Sequence, residues 1–195
     1  MPLAIPSGGD SKPYIKFLAS LNSWQMSGEA GAAEFSMDKP VVFDLSKIQL
    51  GWLWLAEGMR DWQPWPDNKQ IPKPAEGEYK AGFDVQVMST QMFGGEPVRA
   101  FASNGTGAVM FIQALYAEAE KHPEFEGGMS PVVQITNAKP LKVGKGNTRV
   151  PQFNIVKWVP RPAAFDGGAA PAAAAPAPKA KPAPVPAAAT SEDEF

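Results

Sequence analysis

Catalysis by a soluble chain needs a partnered base, an activated nucleophile or a metal cluster, and the residues that supply these are sparse here. The single histidine, His122, precedes Pro123, where a helix is expected to end. A lone histidine there is a favourable charge for the helix dipole and has no partner to make it a base. Cysteine is absent, which removes thiolate metal sites, cysteine nucleophiles and disulfide scaffolds. Gly144-Lys145-Gly146-Asn147-Thr148 has glycines around a lysine but not the order of a phosphate-binding loop, and no long helix follows. Glu57, Asp61 and Glu76 are scattered without a pairing. Asn104-Gly105-Thr106 matches a glycosylation sequon, but no secretion signal accompanies it. No enzyme activity, cofactor or metal is expected.

Binding chemistry is better supplied. Residues 127–165 hold Lys139, Lys142, Lys145, Arg149, Lys157 and Arg161 and no acid, although the whole chain has a net charge of −2. Segregated charge of this kind is the footprint of a phosphate-binding surface. Lys139 to Arg149, with its glycines, reads as a flexible basic hairpin able to follow a phosphate backbone, lysine as a point charge and arginine as a fork. Single-strand binders add base stacking on exposed rings, at about 1–3 kcal/mol per base. The candidates are Trp52, Trp54, Trp62, Trp65, Tyr79 and Trp158. Trp158 is flanked by Lys157 and Arg161; Trp62 and Trp65 fall in an expected loop and are the foremost candidates for exposure.

A third feature lies at the other end. Residues 163–189 are mostly Ala and Pro, and Thr190-Ser191-Glu192-Asp193-Glu194-Phe195 follows. Such a composition buries too little apolar area to offset its ordering entropy, so a disordered, extended spacer is expected. The three carboxylates of Glu192, Asp193 and Glu194, with the α-carboxylate of Phe195, make its tip acidic. A folded body, an Ala/Pro spacer and an acidic tip ending in Phe resembles the single-stranded DNA-binding proteins of bacteria and their phages. The bacterial members end in a run of Asp and Ile-Pro-Phe; Glu192-Asp193-Glu194-Phe195 is more similar to the shorter ends of phage members. The resemblance covers the tail and the general plan, and no diagnostic motif stands inside the body. It implies that the tip competes with DNA for the basic groove and, once displaced, recruits replication or recombination proteins. The effective concentration of a tethered peptide makes that competition physically reasonable.

The elements that must position these residues are mostly strands. Expected strands cover Tyr14 to Leu21, Val41 to Leu45, Ile48 to Leu55, Tyr79 to Met92 and Val98 to Ala102, with two more from Val132 to Ala138 and Gln152 to Val159. Gly28 to Ala33 and Trp62 to Gly77 read as loops. One helix is expected over Gly107 to Lys121, its apolar positions Ala108, Phe111, Ile112, Leu115 and Ala119 at helical spacing. In Ile48 to Leu55 the two-residue period sets Leu50, Trp52 and Trp54 against Leu53 and Leu55. Several strands with one late helix fit a small β-barrel, and the resemblance narrows this to an OB-like, five-stranded Greek-key barrel with extra hairpins. The expected organisation is a lead-in over 1–12, a DNA-binding domain over 13–162, a linker over 163–189 and a tip over 190–195. Roughly 160 residues suffice for one core.

The expected function is therefore non-enzymatic coating of single-stranded DNA in phage replication or recombination. Met1 to Pro6 lacks the basic and apolar regions of a signal peptide, and no apolar run has transmembrane length, so a cytoplasmic location is expected. Monomers and homo-oligomers are both compatible with the sequence. The rival reading is a virion or replisome adaptor that docks a protein through its tryptophans. The two differ in whether the Trp52/Trp54 face also bears the charges of Lys139 to Arg161.

Overall fold

The computed structural model describes residues 12–28, 31–56, 59–144 and 146–168. Ten strands form one curled, open sheet: β1 (Tyr14–Leu18), β2 (Ser23–Gly28), β3 (Gly31–Phe35), β4 (Val41–Phe43), β5 (Gln49–Ala56), β6 (Met59–Pro64), β7 (Lys80–Met88), β8 (Val98–Ser103), β9 (Met129–Val143) and β10 (Gly146–Pro160). Helices α1 (Thr106–Ala119) and α2 (Pro123–Glu126) stand between β8 and β9. The main strand order is β10-β9-β4-β7-β8-β1-β2-β3, with β5 and β6 branching from β7.

Strand β7 is the hub. β8 runs antiparallel along one edge, from the pair Phe83–Ser103 to Met88–Val98. The other edge is shared: β5 takes residues 80–84 and β4 takes 87 and 88. A 3-10 turn at Leu45–Lys47 separates these two partners, and Asp44 N–H donates to Gln86 O (3.0 Å) across the gap. The branch sends the β5–β6 ribbon toward one end of β7 and the β4–β9–β10 lobe toward the other.

Alternation decides which face is inner. Phe83, Val85 and Val87 point one way from β7 and are buried with Ile15, Phe43, Phe101 and Val133. Helix α1 covers this face through Ala108, Phe111, Ile112, Leu115 and Ala119, at the spacing of a single helical stripe. Phe111 packs edge-on against Phe43 of β4 (6.0 Å between ring centroids) and Phe153 of β10 (5.7 Å) and meets Phe101 of β8 (6.4 Å), so the helix joins the β4–β9–β10 lobe to β8. On the outer face Met88 packs with Ala164 and Phe165, from a 3-10 turn at Ala163–Asp166.

Several expectations change. Ten strands stand where a five-stranded barrel with extra hairpins was expected. Gly28 and Gly31 to Ala33, expected in a loop, are strand residues, because Gly31–Phe35 pairs with β2. Trp62 to Pro64 likewise belongs to β6, paired with Gly51 to Leu53. Ala163–Asp166, expected in the spacer, form a 3-10 turn in which Ala164 and Phe165 are buried. The expected lead-in up to residue 11, the spacer from 169 onward and the tip Glu192, Asp193, Glu194 and Phe195 lie outside the described residues. Among the described residues no helix is long and apolar enough to cross a membrane.

Candidate nucleic-acid interface

Residues Lys139 to Arg149, expected as a flexible hairpin, lie at the end of two strands longer than expected. They belong to a hairpin arm in which β9 and β10, of 15 residues each, pair almost to the turn. Its register sorts the charges, because directly opposed residues share a face. Arg149 faces Pro140 and Lys142 faces Asn147, so these two cations lie on one side. Lys139 faces Val150 and stands on the other, with Leu141 and Thr148. The six cations therefore do not form one track. Lys145 lies outside the described residues. Lys157 pairs with Val132, which pairs with Val42 and through it with Met88, far along β7 from the β5–β6 branch.

Arg161 is committed elsewhere. Its Nε and Nη2 donate to the buried Asp44 carboxylate (2.8 and 2.7 Å), and Nη1 and Nη2 donate to Asp166. Its hydrogen bonds to these two carboxylates raise the guanidinium pKa further, and the hydrogen bond from Arg161 lowers that of Asp166. This clasp fixes the 3-10 turn to the outer face, so Arg161 is withdrawn as a phosphate contact. An outer cleft of about 300 Å³ beside it gathers Lys12, Lys47, Arg60 and Asp84. Arg60 there is paired to Asp84 at 2.7 Å.

The aromatics sort in the same way. Trp52 is 8 % exposed, donates from Nε1 to Ile71 O (3.0 Å) and packs edge-on against Trp65. Tyr79 is 5 % exposed, donates its hydroxyl to Asp61 and accepts from Gln63 Nε2 (3.1 Å). The Asp61 bond leads the causes that raise the Tyr79 pKa above its usual value. Neither ring is open to a base, so both are withdrawn as stacking platforms. Trp158 packs on His122 and Phe125 and belongs to the flank of the core. Trp54, Trp62 and Trp65 are half-buried. Trp54 lies against Tyr79, over Gly77, whose φ of +97° and whose missing Cβ leave room for both rings.

A side chain that sequence reasoning passed over organises this ribbon. Asn68 (φ 55°) donates from Nδ2 to Ile48 O (3.0 Å) and accepts from Leu50 N–H (2.7 Å), so its amide substitutes for a strand partner beyond the end of β6. The only hint was the turn chemistry of Pro66-Asp67-Asn68.

Three contacts bring ribbon and arm to one end. Asn104 Nδ2 donates to Leu53 O (2.9 Å), tying β5 to the residues that open α1. Gly107, in the first turn of α1, sits so close to β10 that a Cβ would lie 2.0 Å from Arg149 O and 3.0 Å from Thr148 Oγ1. Arg149 Nη1 reaches Ser20 O (3.4 Å) in the turn between β1 and β2. Around the first turn of α1 therefore meet the β5–β6 ribbon, the Arg149 backbone with the Thr148 side chain of the arm and, through the Arg149 side chain, the β1–β2 turn. That turn of the helix holds no acid, and its cap, Gly105, has no side chain to satisfy the first amides. No protein-family model, curated protein or solved structure matches this chain. Among the described residues no group of His, Cys, Asp or Glu is placed to hold a metal. What the end can do chemically is attract anions through two cations, Lys142 and Arg149, beside half-buried rings.

Proposed function

We propose that the chain is a non-enzymatic single-stranded DNA-binding protein with an OB-like half-barrel body, acting in phage replication or recombination in the host cytoplasm. The observation that carries this reading is the seating of Gly107 against Arg149 and Thr148. It sets an acid-free basic arm against the start of α1, which Asn104 ties to the β5–β6 ribbon. Phosphates would follow Lys142 and Arg149, with Lys139 on the other side of the arm; Trp54 and Trp65 would supply stacking on one face of the ribbon, with Trp62, opposite Leu53, on the other. The acidic residues Glu192 to Glu194, with Phe195, would compete for the same cations and recruit replication proteins when displaced.

An adaptor role has one observation in its favour. Leu55 and Met59, flanking the turn of the β5–β6 ribbon, are 52 % and 41 % exposed, as suits docking of an apolar partner. The readings separate in a titration of labelled oligothymidylate followed by fluorescence anisotropy. Binding that weakens as salt rises supports the DNA reading. No binding at about 50 mM salt, where phosphate contacts are strong, overturns it in favour of a protein partner.

A further inference from the structure

The rings expected to stack on bases are largely engaged within the body, and the apolar chains left open at the α1 end are aliphatic. Leu21 is the most exposed large apolar side chain among the described residues, at 67 %. It stands in the tight turn between β1 and β2, whose strands pair up to Leu18 and Ser23. The turn is held by Leu21 N–H donating to Leu18 O (3.2 Å) and by Asn22 in the left-handed region (φ 54°), which asparagine tolerates better than most residues. Ser20 O, one residue before, accepts from Arg149 Nη1. Arg149 makes no ion pair among the described residues, and four of its five guanidinium donors remain for another acceptor.

Charge singles out this place. The two segments that meet at Ser20 and Arg149 are both free of acids: residues 11–28 carry Lys12 and Lys16, and residues 127–165 carry only cations. An exposed leucine by itself needs no explanation. A leucine next in the chain to the carbonyl that Arg149 holds, with Lys142 on the same face of the arm as Arg149, presents an apolar contact near two cations. An unpaired nucleotide has the complementary form, an apolar base face joined to an anion.

We propose that the β1–β2 turn is a base seat, in which Leu21 packs against one unpaired nucleobase while Arg149 and Lys142 hold the flanking phosphates. This rests on the single-stranded DNA reading above. It goes beyond that reading by assigning a base contact to an aliphatic side chain in a turn where sequence pointed to tryptophans.

The test compares the full-length wild type with Leu21→Ser, using labelled oligothymidylate and an abasic oligomer of the same length. Replacing an exposed residue leaves the fold intact, which thermal melting checks. Leu21→Ser is expected to weaken oligothymidylate binding about fivefold to tenfold, with an unchanged salt slope, since no phosphate contact is lost. On the abasic oligomer the two proteins should bind alike. In Leu21→Trp, the added indole emission should be quenched by oligothymidylate and not by the abasic oligomer. Equal oligothymidylate binding by wild type and Leu21→Ser overturns the base seat and leaves the DNA reading standing. Absence of binding by the wild type overturns both.

Discussion

Gly107→Ala tests the contact that brings arm and helix together. Alanine is the better helix former, and near a helix start the exchange would stabilise by at most about 1 kcal/mol. The structure reverses the sign. The new Cβ would lie 2.0 Å from Arg149 O, a backbone atom that cannot rotate away. Restoring ordinary contact at 3.4 Å requires α1 and β10 to separate by roughly 1.4 Å. That separation also loosens Phe111 against Phe153 in the same interface. Overpacking of this kind costs about 1–3 kcal/mol, and a backbone oxygen at 2.0 Å places this case at the upper end, so a net loss of roughly 2 kcal/mol is expected once a propensity gain of at most about 1 kcal/mol is subtracted. Urea unfolding followed by tryptophan emission reads this as a lower midpoint at unchanged slope. A variant as stable as the wild type, or more stable, would refute the close packing of α1 on the arm.

Three further outcomes follow from the geometry. Asn68→Ala leaves Ile48 O and Leu50 N–H to water and places at positive φ a residue less tolerant of it than asparagine, so a loss of about 0.5–1.5 kcal/mol is expected in the same unfolding assay. Asp61→Asn removes the carboxylate that holds the Tyr79 proton; the phenol, followed by ultraviolet absorbance, should then ionise closer to its ordinary value of 10.0 than in the wild type. Asp166 has a lowered folded pKa, so its stabilisation is present above the unfolded value of 3.8 and lost as pH falls through the lower folded value. Wild type should accordingly be more stable than Asp166→Asn at neutral pH, and the difference should vanish in acid; a difference independent of pH would contradict the clasp.

Much of the body was legible because periodicity reports burial. The stripe from Ala108 to Ala119 and the alternation of Phe83, Val85 and Val87 mark the inner face directly. Strand β3 was hidden: Gly31-Ala32-Ala33 has low intrinsic strand preference, and its conformation comes from pairing with β2. The arm was underestimated for a related reason. Lysines and glycines over 139–149 look like a loop, yet cross-strand hydrogen bonds extend both strands to the turn. At the site, charge composition located the arm but gave no register, so Lys139 could not be separated from Lys142 and Arg149. Nor could sequence show that Arg161 is held by Asp44, 117 positions away. Burial of Trp52 and Tyr79 depends on residues from Asp61 to Ile71 folding back over β5, a tertiary effect that local pattern does not carry.

The central claim is that Lys142 and Arg149 form a phosphate-binding face. The most direct measurement is the salt dependence of oligothymidylate binding by wild type and by the double variant Lys142→Glu/Arg149→Glu, between about 50 and about 200 mM salt. Removing two phosphate contacts should reduce the slope of log affinity against log salt by about 1.4 and weaken binding at least about tenfold at low salt. An unchanged slope and undiminished affinity in the double variant would contradict the assignment and move any nucleic-acid path away from the arm.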